Sequence, residues 1–364
     1  MSKKRKILVG MSGGVDSSVT ALLLKKEGYE VTGVFMINWH EDDADGNCTW
    51  QQDFLDAQRV AEKIGIKIFT WDFSEEYKKN VFYYFIKAYE SGLTPNPDTL
   101  CNKYIKFGSF LEKAMLMGYD KVATGHYAQI RENKGMFDLL SGVDSSKDQT
   151  YFLYELGQKQ LAKILFPIGH LPKKEVRKIA EENDLPVSQK KDSYGICYIG
   201  EKKMKSFLGK FIENKKGEIV DKFGNALGEH EGLHNYTLGQ RQGIGVGGVG
   251  PFYVLRKDFE TNKLIVTDNK DDDELFQKEI YTKDINWVLG ENQKMPKNCW
   301  VRFRHLQKLQ KAHLKKQKDD TIKIVFKIRQ KTPVPGQVCV FYKKNIFVKK
   351  ITCLGGGIIV AKQK

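Results

Sequence analysis

Between a short apolar run, Lys6 to Met11, and a stretch of helical spacing, Ser17 to Lys26, the chain carries Gly10-Met-Ser-Gly-Gly-Val-Asp-Ser-Ser18. Glycines at a strand-to-helix turn let backbone amides approach an anion. The helix start that follows adds unsatisfied N–H groups and the positive end of its dipole. The segment therefore reads as a phosphate cradle, with a tight turn carrying an Asp or Ser helix cap as the plainer alternative. It lacks Gly-x-x-x-x-Gly-Lys-Ser/Thr, so no loop lysine reaches a γ-phosphate, and it lacks the Gly-x-Gly-x-x-Gly spacing of a dinucleotide site.

Strand and helix signals continue to alternate after the cradle. Val31 to Ile37 and Ile66 to Phe73 read as strands, Thr49 to Ile64 and the aromatic-rich Glu75 to Glu90 as helices. Asn102 to Met117 gives another helix, Lys121 to Tyr127 another strand, and Lys147 to Leu165 and Lys173 to Asn183 two further helices. This alternation predicts an α/β domain over residues 1–205, a doubly wound parallel sheet covered on both faces. Residues 206–281 are glycine-dense, with Leu238-Gly-Gln-Arg-Gln-Gly-Ile-Gly-Val-Gly-Gly-Val-Gly250 excluding a helix interior, and form a small mixed central domain. Over 282–364, strand-like Trp300 to Gln307, Thr321 to Ile328 and Gln337 to Val348 alternate with turns such as Pro333-Val-Pro-Gly336 and predict a C-terminal β-barrel.

The net charge of +15 is confined to that last module: from Val301 to Lys364 the only acids are Asp319 and Asp320, and the first 300 residues are neutral. A neutral body with one basic module suggests a docked polyanion, nucleic acid ahead of an acidic membrane surface. The plainer reading is a solubilising lysine-rich face. No apolar run approaches the roughly 18 residues of a membrane span, and Met1 to Lys6 leads into a strand-like stretch rather than a signal-peptide core. The expectation is a cytoplasmic protein with no membrane association.

Six cysteines, at 48, 101, 197, 299, 339 and 353, lack the short paired spacing of a zinc site, and no metal site is expected. In a cytosolic chain the default is reduced thiols, and Cys299, Cys339 and Cys353 read as packing. His40-Glu-Asp-Asp-Ala-Asp45 with Cys48 reads as a solvated acidic loop rather than a metal site. Cys101 follows Asp98 by three in Thr94-Pro-Asn-Pro-Asp-Thr-Leu-Cys-Asn-Lys-Tyr-Ile-Lys-Phe107, where two prolines precede a helix. The dipole there, with Lys103 and Lys106 nearby, favours a thiolate, while Asp98 is either a proton-transfer group or an N-cap. Cys197 lies in Asp192-Ser-Tyr-Gly-Ile-Cys-Tyr-Ile-Gly-Glu201, after the basic pair Lys190 and Lys191. Flanking glycines suggest a backbone that flexes, and a small buried hydrophobe is the alternative.

Ser12-Gly-Gly-Val-Asp-Ser17 resembles the pyrophosphate-binding loop of the ATP pyrophosphatase superfamily, whose members cleave ATP between the α and β phosphates. Together with Asn96-Pro-Asp-x-x-Cys-Asn102, Ala123-Thr-Gly-His-Tyr127, Lys147-Asp-Gln149, Gly195-Ile-Cys197 and Leu354-Gly-Gly-Gly357, it makes the chain similar to the tRNA-specific 2-thiouridylase family over residues 6 to 360. The resemblance implies an adenine nucleotide alpha-hydrolase-like first domain and an enzyme that inserts sulfur at C2 of the wobble uridine of tRNA. It implies ATP held by Gly10, Met11, Ser12, Gly13, Gly14, Val15, Asp16, Ser17 and Ser18, with Met36 and Gly125 at the nucleotide and Mg²⁺ through Asp16. It makes Cys197 the persulfide carrier, Cys101 the nucleophile, and the two able to close a disulfide. Asn96, Pro97 and Asp98 would meet the target base, and His126, Lys147, Asp148, Gln149, Arg304, His305 and Gln337 the tRNA. A cysteine desulfurase or sulfur-relay protein would supply the persulfide sulfur to a monomeric enzyme.

Two positions depart from the family pattern: Ser193-Tyr-Gly-Ile-Cys197 stands where Ser-Thr-Gly-Ile-Cys is usual, and Arg304-His-Leu-Gln307 where Arg-Tyr-Arg-Gln is common. The chemistry itself demands activation, because the C2 oxygen of uridine is a urea-type carbonyl oxygen and a very poor leaving group. Adenylation supplies AMP as the departing group. An amidating ligase of the same superfamily would need an ammonia source, and the sequence carries no glutaminase-type motif.

Overall fold

A computed structural model of the chain describes residues 4–40, 49–192, 204–247, 251–345 and 350–361. The expected parallel sheet is built from β1 (Lys6–Met11), β2 (Glu30–Ile37), β3 (Lys67–Asp72), β4 (Lys121–Ala123) and, later in the chain, β7 (Ile164–Leu165), in the order β3-β2-β1-β4-β7. All the pairings are parallel, with Val9 opposite Gly33 on one side and Ala123 on the other. β1 buries both faces, as a continuous apolar run must. Its pleat sends Ile7 and Val9 into a core shared with α1 (Val15–Lys26) and α2 (Thr49–Ile64), and Leu8 into an aromatic core on the other face. Strand order reverses between β1 and β4, which opens a crevice at their C-terminal ends.

Two long helical stretches build the aromatic core. One runs Ser74–Tyr77, a π-helical Lys78–Phe82 and Tyr83–Glu90; the other runs Pro97–Leu100, a π-helical Cys101–Ser109 and Phe110–Leu116. Wide π turns are costly and cluster at functional sites. The expected helix over Lys147 to Leu165 does not form. A single 3₁₀ turn at Thr150–Phe152, a one-turn helix at Gln158–Leu161 and β7 take its place. Tertiary contacts outweigh helical spacing there: Leu153, Tyr154 and Leu156 are all buried, Tyr151 Oη donates to Val338 O at 3.1 Å, and Tyr154 O accepts from Asn286 Nδ2 at 2.7 Å.

The C-terminal strands β12 (Phe276–Trp287), β13 (Asn298–Arg302), β14 (Gln310–Lys316), β15 (Ile322–Lys331), β16 (Val338–Asn345) and β17 (Lys350–Val360) run in the order β12-β15-β14-β13-β16-β17. A pairing of β12 with β17 closes them into a six-stranded barrel. The glycine run at 355–357 serves this closure. A Cβ on Gly355 would sit 2.0 Å from Asn286 O, and one on Gly357 2.7 Å from Lys283 O. Cys299, Cys339 and Cys353 are buried as expected, and burial pushes the Cys299 and Cys353 thiols up to about 12.

A hairpin of the first domain, β5 (Ala128–Asn133) and β6 (Met136–Ser141), leaves its own sheet and pairs with the barrel, Leu139 opposite Cys353 and Leu140 opposite Thr352. In sequence between the α/β domain and the barrel, β8 (Gly217–Asp221), β9 (Ala226–His230), β10 (Tyr253–Asp258) and β11 (Lys263–Thr267) form a four-stranded sheet in the order β10-β11-β8-β9. No helix among the described residues is long and apolar enough to cross a membrane.

Candidate functional site

The glycine loop joins β1 to α1 at the crevice. Gly14 is the N-cap of α1 in extended conformation, and no side chain caps the helix. The serines hold the loop instead: Ser17 and Ser18 hydroxyls donate to Gly14 O at 3.1 and 2.8 Å, and Ser12 N donates to Ser17 Oγ at 3.1 Å. First-turn amides are thus left without a side-chain acceptor, which favours the cradle over the capped turn. Gly13 has φ +69°, and a Cβ there would lie 2.1 Å from Asp53 O on α2. Gly125, just past β4, presses on the same helix start; its Cβ would come within 2.8 Å of Ser17 N. Met36 Cε lies 3.1 Å from the position a Cβ on Gly10 would take.

Asp16, in the first turn of α1, anchors a charged network. Tyr127 Oη donates to its Oδ1 at 2.7 Å, and Lys173 Nζ reaches Oδ1 and Oδ2 at 2.8 and 2.9 Å. Lys173 also pairs with Asp192 at 2.8 Å, and Asp192 in turn takes Lys147 at 2.7 Å and Arg177 at 2.6 Å. Burial alone would raise the Asp192 carboxyl, but hydrogen bonds from Lys147 and Lys173 outweigh it and hold the group down at about 2. Tyr127 is pushed far up by burial and by the neighbouring Asp16 charge, so it acts as a fixed donor. Lys190 Nζ donates to Gly13 O at 3.1 Å and bonds Asp53 and Asp56 at 2.7 Å each, tying the loop to α2.

Asp16 accepts three hydrogen bonds, while a carboxylate offers about four lone-pair sites. One position on Oδ2 therefore fits a magnesium ion, which takes one or two carboxylates beside substrate phosphates. Sequence reasoning passed over Lys173, Arg177 and Asp192 as site residues. The one available signal was chemical: an acid in the first turn of an anion-binding helix requires a counter-charge.

The Cys101 segment begins with Asn96 as N-cap, its side chain accepting from Thr99 N at 3.3 Å, and with Pro97 in the first turn. Asp98 is therefore not the cap. Burial raises its carboxyl pKa, against the pull of Lys106, which keeps a proton-transfer role open. Cys101 is 1% exposed and stands one turn inside the helix, where the π-helical stretch begins. The expected helix-start placement is thus corrected, since dipole effects fade beyond the first turn. Lys103 does not face the thiol as a spare charge; it pairs with Glu155 at 2.5 Å and lies over the Tyr104 ring. Gln337, expected at the tRNA, donates to Thr94 O at 3.0 Å and to Pro95 O at 3.3 Å, so the barrel clamps the segment that leads to Cys101.

Cys197, and with it the expected disulfide, lies outside the described residues. Its flanks are described. Asp192 is held at the cradle, and the helix Met204–Leu208 packs Phe207 and Leu208 into the same core as Cys101, with Phe207 6.2 Å from Phe82.

The expected tRNA contacts divide by exposure. His126 is only 7% exposed, bonds Thr124 through Nδ1 at 2.8 Å, packs on Phe107 and Phe166, and is kept neutral by burial. Asp148 is buried in an ion pair with Arg302 at 2.9 Å and accepts from Thr150. Both are struts rather than surface groups, because an unpaired charge or ring nitrogen at those depths is costly. Gln149 is half-buried and exchanges hydrogen bonds with Tyr127. Arg304 is exposed and donates to Lys331 O and Thr332 O, while His305 stacks 4.4 Å from Phe152 and bonds Asp148 O. Lys147, Gln149, Arg304 and His305 thus share one seam between α/β domain and barrel.

Fold and site together define a class: a doubly wound α/β domain with an anion cradle at its switch point, carrying a closed, basic β-barrel. Comparison with known proteins narrows it. Residues 5–201 match the family model described as tRNA methyl transferase HUP domain, 205–268 the PRC-barrel domain, and 277–359 the aminomethyltransferase beta-barrel domain. Proteins named tRNA-specific 2-thiouridylase MnmA from Francisella philomiragia and Francisella tularensis subsp. novicida are 48% and 47% identical over 98% of this chain and 100% of theirs. The chain belongs to the tRNA-specific 2-thiouridylase family. Among solved structures, NMN synthetase from Francisella tularensis matches 53% of this chain and 67% of its own at 18% identity and TM-score 0.32, too slight a likeness to carry an argument.

Proposed function

We propose that this protein is an ATP-dependent tRNA-uridine 2-sulfurtransferase acting on the wobble position in the cytoplasm. ATP sits in the crevice with its polyphosphate on the amides of Gly13 to Ser17, Mg²⁺ on Asp16, and the base beside Met36 and Gly125. Bound there, the nucleotide supplies AMP as a leaving group for the C2 oxygen. Cys197, loaded by a desulfurase or relay protein, presents the terminal sulfur of a persulfide to C2, and AMP departs. The Cys101 thiolate then attacks the bridging sulfur, leaving C2=S on the uridine and a Cys101–Cys197 disulfide that an external thiol reductant reopens. Asp98, its pKa raised by burial, moves the proton at the target base. Residues 1–205 do the chemistry, 206–281 connect, and the basic 282–364 module holds the tRNA backbone, with the anticodon base splayed from its stack.

One observation carries the reading. The segment bearing Cys197 leaves from Asp192, which Lys173 ties to the cradle, and returns at Met204 beside the core that holds Cys101. Cys197 is five residue steps beyond Asp192, a reach of roughly 18 Å at most. Incubation of tRNA with ATP, Mg²⁺ and a persulfide source, followed by mass analysis of its nucleosides, should yield 2-thiouridine. Cys101→Ser and Cys197→Ser should each abolish product while leaving ATP affinity within a few-fold. Thiolation by either variant refutes the assignment.

A further inference from the structure

A polyphosphate site that carries an acid in its own helix start contains a contradiction. Asp16 lies in the first turn of α1, where the amides point at the anion, and its charge opposes that anion. The loop has no lysine to offset it. The compensating cation comes from 157 residues away. Lys173 opens the helix Lys173–Glu182, is 9% exposed, and grips both oxygens of Asp16 while the Tyr127 hydroxyl adds a neutral donor. Its only other ion-pair partner among the described residues is Asp192, which Lys147 and Arg177 also neutralise. Lys173 is therefore not consumed by Asp192, and its charge is spent on the loop.

We infer that Lys173 is the counter-charge that turns the glycine loop into a polyphosphate site, a positioning residue that acts through Asp16. It does from outside the loop what a lysine within the loop does in other phosphate-binding folds. This rests on the nucleotide reading above and goes beyond it in naming the residue on which affinity for the phosphates depends. A strut that merely fastens one helix to another would lower the melting temperature when removed and leave anion affinity alone. A counter-charge, by contrast, is dispensable once the acid it cancels is gone.

The test is calorimetric titration of the full chain with inorganic pyrophosphate in the absence of Mg²⁺, so that loss of an ion at Asp16 does not enter the comparison, and with ATP and Mg²⁺ for the wild-type chain. Lys173→Met should weaken pyrophosphate at least about tenfold, and Lys173→Arg should keep it within about threefold, since the charge survives. Asp16→Asn combined with Lys173→Met should recover most of the lost affinity. Pyrophosphate affinity within twofold of wild type in Lys173→Met overturns the inference, and so does a double variant no better than the single one. If Lys173→Met does not fold, the arginine and double variants decide: arginine binding as weakly as no cation overturns it, and a double variant binding like wild type supports it. Failure of the wild-type chain to bind ATP or pyrophosphate would instead sink the nucleotide reading itself.

Discussion

Two regions of this molecule use cations in opposite ways. At the cradle, Lys147, Lys173, Arg177 and Lys190 each sit on named carboxylates within 2.9 Å, and the charges cancel locally. On the barrel, lysines stand over aromatic rings: Lys311 and Lys344 flank Trp300 at 5.2 and 5.3 Å. Paired cations are fixed in one geometry, as a reaction site requires. Cations stacked on rings keep their charge outward and their stems in place, as a surface that follows a phosphate backbone requires. The contrast accompanies the uneven charge of a chain that is neutral over its first 300 residues and carries +15 in the rest.

The contrast can be broken at its buried extreme first. Arg302→Met leaves Asp148 as a buried, unpaired carboxylate and should cost about 3 to 5 kcal/mol, read as the shift in urea midpoint. A loss below 1 kcal/mol would mean that Ser141, Gly142 N and Thr150 alone satisfy Asp148. On the barrel, Lys311→Gln with Lys344→Gln should leave stability nearly unchanged and weaken tRNA at moderate salt. The slope of log affinity against log salt should fall by roughly 1 to 2, as two phosphate contacts would release. An unchanged slope would make those lysines bystanders. The smallest effect concerns pH. His126 is buried neutral with its pKa depressed, so the unfolded chain binds the proton more readily and stability falls as pH drops below about 6.5. His126→Phe should flatten that acid limb by about 1 kcal/mol at pH 5.5, while His230, His234 and His305, depressed in the same sense, preserve the rest.

Local pattern carried the features that local physics decides. The strand, glycine turn and helix at residues 6–26, the helix at 49–64 and, among the six barrel strands, β15 and β16 with the end of β13 were readable, because an apolar period or a run of glycines admits few alternatives, whereas β12, β14 and β17 were not picked out. What failed depended on partners distant in sequence. Lys147 to Leu165 has helical spacing, yet barrel side chains claim its backbone. Lys173 is one of 60 basic residues, and nothing in its neighbourhood sets it apart until the fold brings it to Asp16. His126 and Asp148 resemble surface contacts in a motif and turn out to be struts, since burial is decided by what packs above them. The thiolate argument for Cys101 erred by a single turn, because Pro97 starts the helix earlier than the cysteine.

The hairpin that leaves the parallel sheet to pair with β17 has a practical corollary. Removing the C-terminal module would strip Leu139 and Leu140 of their neighbouring strand and release the clamp on Thr94 and Pro95. The half that carries the glycine loop and the half that carries the positive charge are thus one mechanical object. A truncated gene product should be judged as a damaged whole rather than as a smaller enzyme.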